Sequence, residues 1–428
     1  MPIALVIVGV VIAGLMVGAT QLDHLGEWLL ERGTTAADQQ QWRRARAEFE
    51  RAAQAFHLHG DDLRRAETLR QLGRCWRPDR DPDRGDWRRA AATLGQAARL
   101  AARHSDDRLT ALAVRDQAYC LQRDHNPRGG DWGRALRLYE RAAYLFAELG
   151  DPRQQRAALH GMAWCLTPND ANPAGDLDRA TALYARAVDV GRHPDVPAGD
   201  LAESLHQLGW CYRSAKDPDV QRASRCLREA AQLSDQAGQH REHADSLREL
   251  AECRVHARHP QRDLGASYEM FCRAAAEFGA AGAKLEQART LARAAYWQMP
   301  GHNPEGSWRR VIEHYEAAAK LLQEDGSLNE EAHIQHWLAW SLQPDRNPES
   351  GDWPRAAKAY ARAAALYEEL GGAEMQARCL VDQGFCLARG ERQSMDAAAR
   401  YVMQRGLHIL REVGAGEDAD RWAPWVER

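Results

Sequence analysis

The stretch RNPESGDWPRAAKAYARAA, residues 346–364, closely matches NPRGGDWGRALRLYERAA at residues 126–143. A Gly-Asp-Trp phrase or a near variant of it begins at Gly85, Gly130, Gly175, Gly306 and Gly351. The first three of these glycines lie 45 residues apart, and so do the last two. Self-similarity at a fixed period is the signature of a repeat architecture. It favours one elongated stack over the two or three globular domains that 428 residues would otherwise suggest.

The composition is helical and electrically balanced. Ala, Arg, Leu and Glu are abundant, whereas β-branched residues are sparse after the first twenty positions. The formal net charge is −4, so no bulk charge calls for nucleic acid as a partner. The chain is therefore predicted to be all-α.

The nine cysteines do not form an evident disulfide or metal framework. Neighbouring helices pack about 10 Å apart, which exceeds the separation of about 7 Å between Cα atoms that a disulfide tolerates. We expect buried thiols in a tight helix contact, a usage that favours a reducing compartment. Six of the cysteines share one position of the repeat, namely Cys75, Cys120, Cys165, Cys211, Cys253 and Cys386.

One unit of the repeat can be read from residues 151–191. Leu159 and Leu166 belong to an apolar face with helical period, and a Thr-Pro pair follows it and stops the helix. Asp176 is a good N-cap, and a second apolar face that includes Tyr184 resumes after it. The unit is therefore predicted to be helix, turn, helix.

These units resemble the tetratricopeptide repeat family, whose members are right-handed superhelices of antiparallel helix pairs. The first-helix pattern of a Leu-Gly or Leu-Ala pair followed by large residues occurs at Leu72-Gly73, Leu208-Gly209 and Leu338-Ala339. The second-helix pattern of Gly-Asp-aromatic followed by a small residue occurs before Ala90, Ala135 and Ala356. The resemblance covers roughly residues 21–414, about nine units, and implies an α-solenoid.

The turn inside each unit departs from the family pattern. Most units carry about five additional residues there, rich in Asp, Asn, Arg and Pro, as in QRDHNPRGGDW and QPDRNPESGDW. A calcium loop is disfavoured, because such loops need alternating acidic residues and a closing Glu. Asn-Pro turn chemistry, followed by an Asp that caps the next helix, explains the insertion with fewer assumptions.

A partner is expected on the first helices, which line the concave face in this family. In seven of the units, the residue one turn before the small Gly or Ala and the residue directly after it share one helix face. We call the candidate partner-binding residues at these positions the ladder. The ladder consists of Arg70, Arg74, Arg115, Tyr119, His160, Trp164, His206, Trp210, Arg248, His336, Trp340 and Phe385.

Two interpretations of the ladder remain open. Aromatic rings beside Arg or His suit the gripping of an extended peptide. Alternatively, the rings fill gaps between successive layers of the superhelix, with the cations stacked over them. A separate set of tryptophans at the start of the second helices is expected to be core: Trp87, Trp132, Trp308 and Trp353. Chaperone-binding members of the family clamp a peptide carboxylate with Lys, Asn and Arg, and the corresponding positions here do not match that set.

Residues 2–20 contain no charged side chain and would span about 28 Å as a helix, close to the thickness of a bilayer core. A transmembrane anchor is the leading interpretation, and a secretory signal is the rival, although no basic residue precedes the apolar stretch. Because Arg43, Arg44 and Arg46 follow the segment, the positive-inside tendency places the repeats in the cytoplasm. A soluble cytoplasmic protein is the alternative.

The sequence thus predicts a hydrophobic helix at 1–20, repeats at 21–414 and a C-terminal cap at 415–428. The predicted function is that of a non-enzymatic, membrane-tethered scaffold that holds a protein or peptide, without cofactor or metal. Every unit reuses one set of residue types, whereas an active site needs a singular constellation. A ligand-sensing regulatory module and an RNA-binding helical repeat are the alternatives, and the negative net charge disfavours RNA. The partner's identity and the oligomeric state stay open.

Overall fold

The computed structural model describes residues 21–260, 262–390 and 397–427, which form helices joined by turns. The predicted membrane anchor at residues 2–20 lies outside the described residues. In the described part of the chain, no helix combines the length and the apolar character needed to cross a membrane.

The chain divides into two compact units, Met1–Pro218 and Asp219–Arg428, where the sequence predicts one continuous stack. The helices of unit 1 are α1 (residues 21–38), α2 (Trp42–His59), α3 (Asp62–Cys75), α4 (Trp87–Arg103), α5 (Asp107–Tyr119), α6 (Trp132–Glu148), α7 (Pro152–Leu166), α8 (Leu177–Gly191) and α9 (Ala198–Ser214). The helices of unit 2 are α10 (Val220–Gln236), α11 (His240–Val255), α12 (Leu264–Ala280), α13 (Lys284–Gln298), α14 (Trp308–Asp325), α15 (Leu328–Ser341), α16 (Trp353–Glu369), α17 (Ala373–Gly390), α18 (Ala397–Glu412) and α19 (Gly416–Glu427).

Within each unit, every helix from α2 onward packs against the next helix in the chain, as expected for helix-turn-helix repeats. We call the odd-numbered helices from α3 to α17 first helices and the even-numbered helices from α4 to α18 second helices. The ladder lies on first helices, and the Gly-Asp-Trp phrases precede second helices.

Alternation of small and large residues builds the core. On α6, Ala135 and Ala142 are fully buried, and between and beyond them Tyr139 and Phe146 are 4% and 0% exposed. Gly161 on α7 faces the Tyr139 ring, where a β-carbon would lie 2.5 Å from the ring atoms. The small residue at the centre of each first helix therefore permits close approach of the second helix.

A buried asparagine closes the lengthened turns before α6 and α16. In the turn before α6, Asn126 Nδ2 donates to the Cys120 carbonyl at 3.2 Å, and its Oδ1 accepts from the Gly129 backbone N–H at 3.0 Å. In the turn before α16, Asn347 bonds the Ser341 carbonyl and the Ser350 N–H at 3.0 and 2.9 Å. The turns are thus hydrogen-bonded structures, in agreement with the predicted Asn-Pro turn chemistry.

The Gly-Asp-Trp phrase joins this turn to the next helix. Asp131 Oδ1 accepts from the Arg134 N–H at 2.9 Å as an N-cap, and the Asp131 N–H donates to the Leu121 carbonyl at 2.7 Å. A β-carbon at Gly130 would lie 2.7 Å from the Asn126 carbonyl oxygen, so only glycine fits before the Asp. The predicted capping role of this Asp is confirmed.

All nine cysteines are free thiols, and the six that share a repeat position are buried. Burial raises the pKa of Cys75 to about 11 and that of Cys120 to about 12. These thiols are neutral and serve as small packing groups, as predicted.

The C-terminal helix α19 packs on the end of unit 2. Ala419 and Val426 are buried in one cluster with Val381 and Leu407, and the Trp422 ring lies 5.8 Å from the ring of Phe385. The apolar side of α17 and α18 is therefore covered by the chain's own last turns of helix.

Candidate functional site on the first helices of unit 1

A cavity of about 490 Å³ lies along the first helices α5, α7 and α9 of unit 1. We call it the unit 1 groove. Four ladder residues line it, namely Arg115, Tyr119, His160 and Trp164. The structure thus brings together side chains from two successive repeats, 45 residues apart, at one surface.

A buried carboxylate organises the arginines at one end of the groove. Asp116, only 5% exposed, accepts from Arg70 Nε at 2.9 Å and from Arg115 Nη2 at 3.0 Å. Burial raises the pKa of Asp116, but the charges of Arg70 and Arg115 outweigh it and leave that pKa below its ordinary value. Asp116 is therefore ionised and fixes both guanidinium groups.

Arg74 lies next to this network without a carboxylate of its own. Within residues 21–260, its guanidinium has no carboxylate in ion-pair contact, and it donates to Gln71 Oε1 at 3.4 Å. Burial lowers the pKa of Arg74, and repulsion from neighbouring arginines adds to the effect in spite of attraction to Asp116.

The Tyr119 ring is enclosed by cationic and imidazole groups from the turns. His125 stacks on it with a centroid distance of 4.4 Å, and the Arg77 guanidinium lies 4.1 Å from the ring centroid. The Tyr119 hydroxyl donates to Asp79 in the turn of the preceding repeat at 3.4 Å. Trp164 repeats this relationship, since its indole Nε1 donates to Asp124 at 2.6 Å.

His160 lies between a hydroxyl and a carboxylate. Its Nδ1 is 3.3 Å from Ser204 Oγ, and its Nε2 is 3.6 Å from Glu203 Oε1. Burial lowers the pKa of His160, and the attraction of Glu203 only partly offsets that effect. The imidazole is therefore neutral at pH 7.

Arg156 supplies a second buried cation at the groove. It is 5% exposed, and its Nη1 donates to Glu203 at 2.9 Å and to Ser204 at 3.1 Å. Its Nε is buried and has no hydrogen-bond partner within the described residues.

The remaining ladder residues do not line this cavity. Arg70 and Arg74 lie beside it, and His206 and Trp210 are half-buried on α9, which contributes Gln207 to the lining.

In unit 2 the ladder residues have local partners. Arg248 donates to Asp245 at 2.8 Å, and His336 Nδ1 lies 3.5 Å from Cys379 Sγ. The Arg346 guanidinium lies 4.4 Å from the Trp340 ring centroid, and Phe385 contacts Trp353 edge to face.

Sequence reasoning missed several groups at these sites. Asp116, Arg156 and Glu203 are outside the ladder register, and only the packing of adjacent helices shows that they face it. Tyr296 was overlooked although it follows the small Ala295 as Tyr119 follows Ala118. Its ring stacks on His302 at 4.3 Å, six residues later, with the same spacing as Tyr119 and His125.

The tryptophans at the start of the second helices are only in part core residues. Trp308 is 8% exposed, whereas Trp87, Trp132 and Trp353 are half-buried. Trp132 Nε1 donates to the Ala171 carbonyl at 3.1 Å, in the turn of the next repeat. A side chain with a polar edge at this position therefore connects repeats as well as filling space.

No protein-family model matches the chain, and no curated protein matches it. Among solved structures, the chain is similar to a Signal Transduction ATPase with Numerous Domains from Pyrococcus horikoshii that carries a tetratricopeptide repeat sensor, with a TM-score of 0.51 and 11% identity. That match covers 84% of this chain and 48% of the other, so this chain spans about half of that protein's length.

Two further structures show weaker similarity. The apo form of RapI matches with a TM-score of 0.49 and 10% identity over 71% of this chain and 99% of its own. A Rap protein complexed with Competence and Sporulation Factor matches with a TM-score of 0.43 and 11% identity, over 82% and 99%. The fold assignment rests on the first match: the chain has an all-α fold similar to tetratricopeptide repeats.

Proposed function

We propose that the protein is a non-enzymatic interaction scaffold and that the unit 1 groove binds an extended peptide segment of a partner protein. The observation that supports this is the convergence of Arg115, Tyr119, His160 and Trp164 on one cavity of about 490 Å³. Half-buried rings with polar edges are the residues that dominate binding energy at protein interfaces.

The chemistry of the groove suits a peptide backbone. Arginine and imidazole groups supply donors, while Asp124 and Glu203 supply acceptors beside the rings. Because Arg115 and Arg156 are already paired with Asp116 and Glu203, little net charge remains. A neutral, amphipathic chain fits this balance better than a polyanion does.

The two side chains that could form a catalytic pair, Ser204 and His160, are not positioned for catalysis. Ser204 lies beside His160, but Ser204 is fully buried and its hydroxyl also accepts from Arg156. A nucleophile must reach the substrate, and this hydroxyl faces the helix contact instead. We therefore propose that the groove performs no chemistry.

The test is selection of binders from a random peptide display library with the full chain, followed by fluorescence anisotropy of the enriched peptides. Trp164→Ala and Tyr119→Ala should each weaken binding about tenfold or more. Tyr144→Ala is the matched control, because Tyr144 is 65% exposed on α6 outside the groove. Equal affinity of wild type and both groove variants, with native helicity, would contradict the proposal.

We further propose that residues 2–20 anchor the protein in a membrane with the repeats, 21–414, in the cytoplasm and residues 415–428 as the cap. The absence of charge from residue 2 to residue 20 supports an anchor. A Val10→Lys change should cost about 3 kcal/mol of insertion free energy and move the protein out of the membrane fraction. Val413→Lys, at an exposed position of unit 2, is the control. Unchanged fractionation of Val10→Lys would exclude the anchor.

A further inference from the structure

A second cleft of about 550 Å³ lies on the second-helix side of unit 1, between α4 and α6 and against α5. Its charged lining residues are Arg88, Arg99 and Arg134, and no acidic residue lines it. It is bordered by Gln117 on α5, which points away from the helix face that carries Arg115 and Tyr119, and by Leu121 in the turn after α5. The cleft is therefore distinct from the unit 1 groove.

None of the three arginines is neutralised by a carboxylate of the described residues. Within residues 21–260, their guanidinium groups form no ion pair with a carboxylate. The nearby acids Asp86 and Asp131 cap helices α4 and α6 and accept backbone N–H groups. Three exposed guanidinium groups around one cleft repel each other unless an anion lies among them.

Two glycines bring the arginines to the cleft. A β-carbon at Gly95 would lie 2.5 Å from Gln117 Nε2 and 3.5 Å from Arg99 Nη1. A β-carbon at Gly129 would lie 3.3 Å from Arg88 Nε. The floor of the cleft is thus kept free of side chains where the guanidinium groups approach it.

Unit 2 contains a cleft in a corresponding region, lined in part by Leu338, Leu342 and Arg355, and serves as an internal comparison. Its residues correspond to those of unit 1 at a constant offset of 221, as Trp308 and Trp353 correspond to Trp87 and Trp132. The basic positions are kept, because Arg309, Lys320 and Arg355 correspond to Arg88, Arg99 and Arg134.

The acidic positions differ between the two units. In unit 2, Arg309 pairs with Glu313 at 3.0 Å and Arg355 pairs with Glu316 at 2.5 Å. A third carboxylate, Glu331, pairs with Arg362 at 2.9 Å. The corresponding residues of unit 1 are Ala92, Gly95 and Thr110. Unit 1 therefore has Arg88 and Arg134 without the carboxylates that pair with their counterparts Arg309 and Arg355 in unit 2.

We propose that the cleft formed by Arg88, Arg99 and Arg134 binds a phosphate group. The guanidinium fork matches two oxygens of a phosphate, and three such forks suit a multiply charged oxyanion better than a single carboxylate. The phosphate belongs either to a small soluble ligand or to a lipid headgroup, and both sources present the same oxygens.

The test uses the purified full chain with two probes. Isothermal titration calorimetry measures binding of inorganic pyrophosphate, and co-sedimentation measures the additional binding to phosphatidylcholine vesicles when phosphatidic acid is included. If pyrophosphate binds, a soluble phosphate ligand is sufficient. If phosphatidic acid increases vesicle binding but pyrophosphate does not bind, the ligand is a lipid headgroup.

Variants test whether anion binding depends on this cleft or on the overall charge of the protein. Ala92→Glu places on an exposed helix position the acid that unit 2 has at Glu313, and Arg99→Gln with Arg134→Gln removes two cations. Each should weaken binding about tenfold or more. The matched control is Arg309→Gln with Arg355→Gln, which should change binding less than about twofold because those cations are already paired.

The proposal fails if neither probe binds the wild type, or if the control variant loses as much affinity as the unit 1 variants. Circular dichroism must show native helicity for every variant. Since Ala92 is exposed, the Ala92→Glu arm remains informative even if loss of two arginines disturbs α4 and α6.

Discussion

Trp164 donates its indole Nε1–H to Asp124 across 2.6 Å, and in doing so it joins a first helix to the turn of the preceding repeat. Tyr119 and Asp79 stand in the same relationship one repeat earlier, with the same separation of 40 residues along the chain. The rings that line the unit 1 groove are therefore contacts between repeats, as the second interpretation of the ladder predicts, and peptide binding by these rings stays a proposal.

Removing this contact should destabilise unit 1 modestly. Trp164→Phe keeps an aromatic ring but removes the indole N–H donor. We expect a loss of only about 1 kcal/mol in the free energy of unfolding, because Asp124 is exposed to water. Urea denaturation checks this value. Asp124→Asn should give a similar loss, whereas Asp170→Asn, an exposed change in the next turn, should have no effect. Equal stability of all four proteins would contradict the prediction.

Gly130, just before α6, and Gly133, in its first turn, should respond oppositely to alanine. Gly130→Ala places a β-carbon 2.7 Å from the Asn126 carbonyl oxygen and should cost about 2–3 kcal/mol. At Gly133 the nearest atom would be Asp131 Oδ1 at 3.5 Å, an ordinary contact, so Gly133→Ala should be neutral or stabilise by about 0.5 kcal/mol. Thermal unfolding distinguishes the two, and the same sign for both would refute the steric argument.

The partly buried pair of Glu331 and Arg362 should contribute more than an exposed pair. Glu331 is 2% exposed and bonds Arg362 Nε and Nη2 at 2.9 and 3.1 Å. Glu331→Gln should lower the free energy of unfolding by about 2 kcal/mol, less than for a fully buried pair because Arg362 reaches solvent. Glu313→Gln, which breaks the exposed pair with Arg309, should cost under about 0.5 kcal/mol. A comparable loss of unfolding free energy in the two variants would show that burial does not make the Glu331–Arg362 pair more stabilising.

Stability should depend on pH through Asp382 on α17. Burial raises the pKa of Asp382 to about 6, in spite of Arg346 and Arg378. Its folded pKa exceeds its unfolded pKa, so its favourable contribution is complete below about pH 4 and is lost as the pH rises through 6. Asp382→Asn should therefore be more stable than wild type at pH 7, by about 2 kcal/mol, and the gap should close toward pH 4.

Urea unfolding of both proteins across this pH range measures the difference. Asp345→Asn is the control, because Asp345 is exposed and paired with Arg389 at the surface. A difference between Asp382→Asn and wild type that does not vary with pH would show that the carboxyl is not responsible.

Much of the fold was predictable because its determinants are local. The recurrence of Gly-Asp-Trp, the helical period of Ala and large residues, and the Asp caps each act within a few residues, and the structure confirms them. The division after Pro218 was not predicted. The division lies in a repeat that lacks most of the residues inserted in the other turns. The missing insertion is visible in the sequence, but the sequence does not show that the chain divides there.

The candidate site was predictable only in part, because its electrostatics are non-local. The pairing of Arg115 with Tyr119 and of His160 with Trp164 follows from helical spacing. That Asp116 would anchor Arg70 from the preceding repeat depends on which helices adjoin. Periodicity gives positions of cations but not the carboxylates that neutralise them.

Gly95 and Glu316 occupy corresponding positions of the two units, so one repeat position is neutral in unit 1 and carries a carboxylate paired with Arg355 in unit 2. Exchanging the side chains at such positions between the two units should therefore transfer anion affinity from one unit to the other. For protein engineering, exchanging the acidic residues of a repeat is then a means of altering which anions that repeat binds.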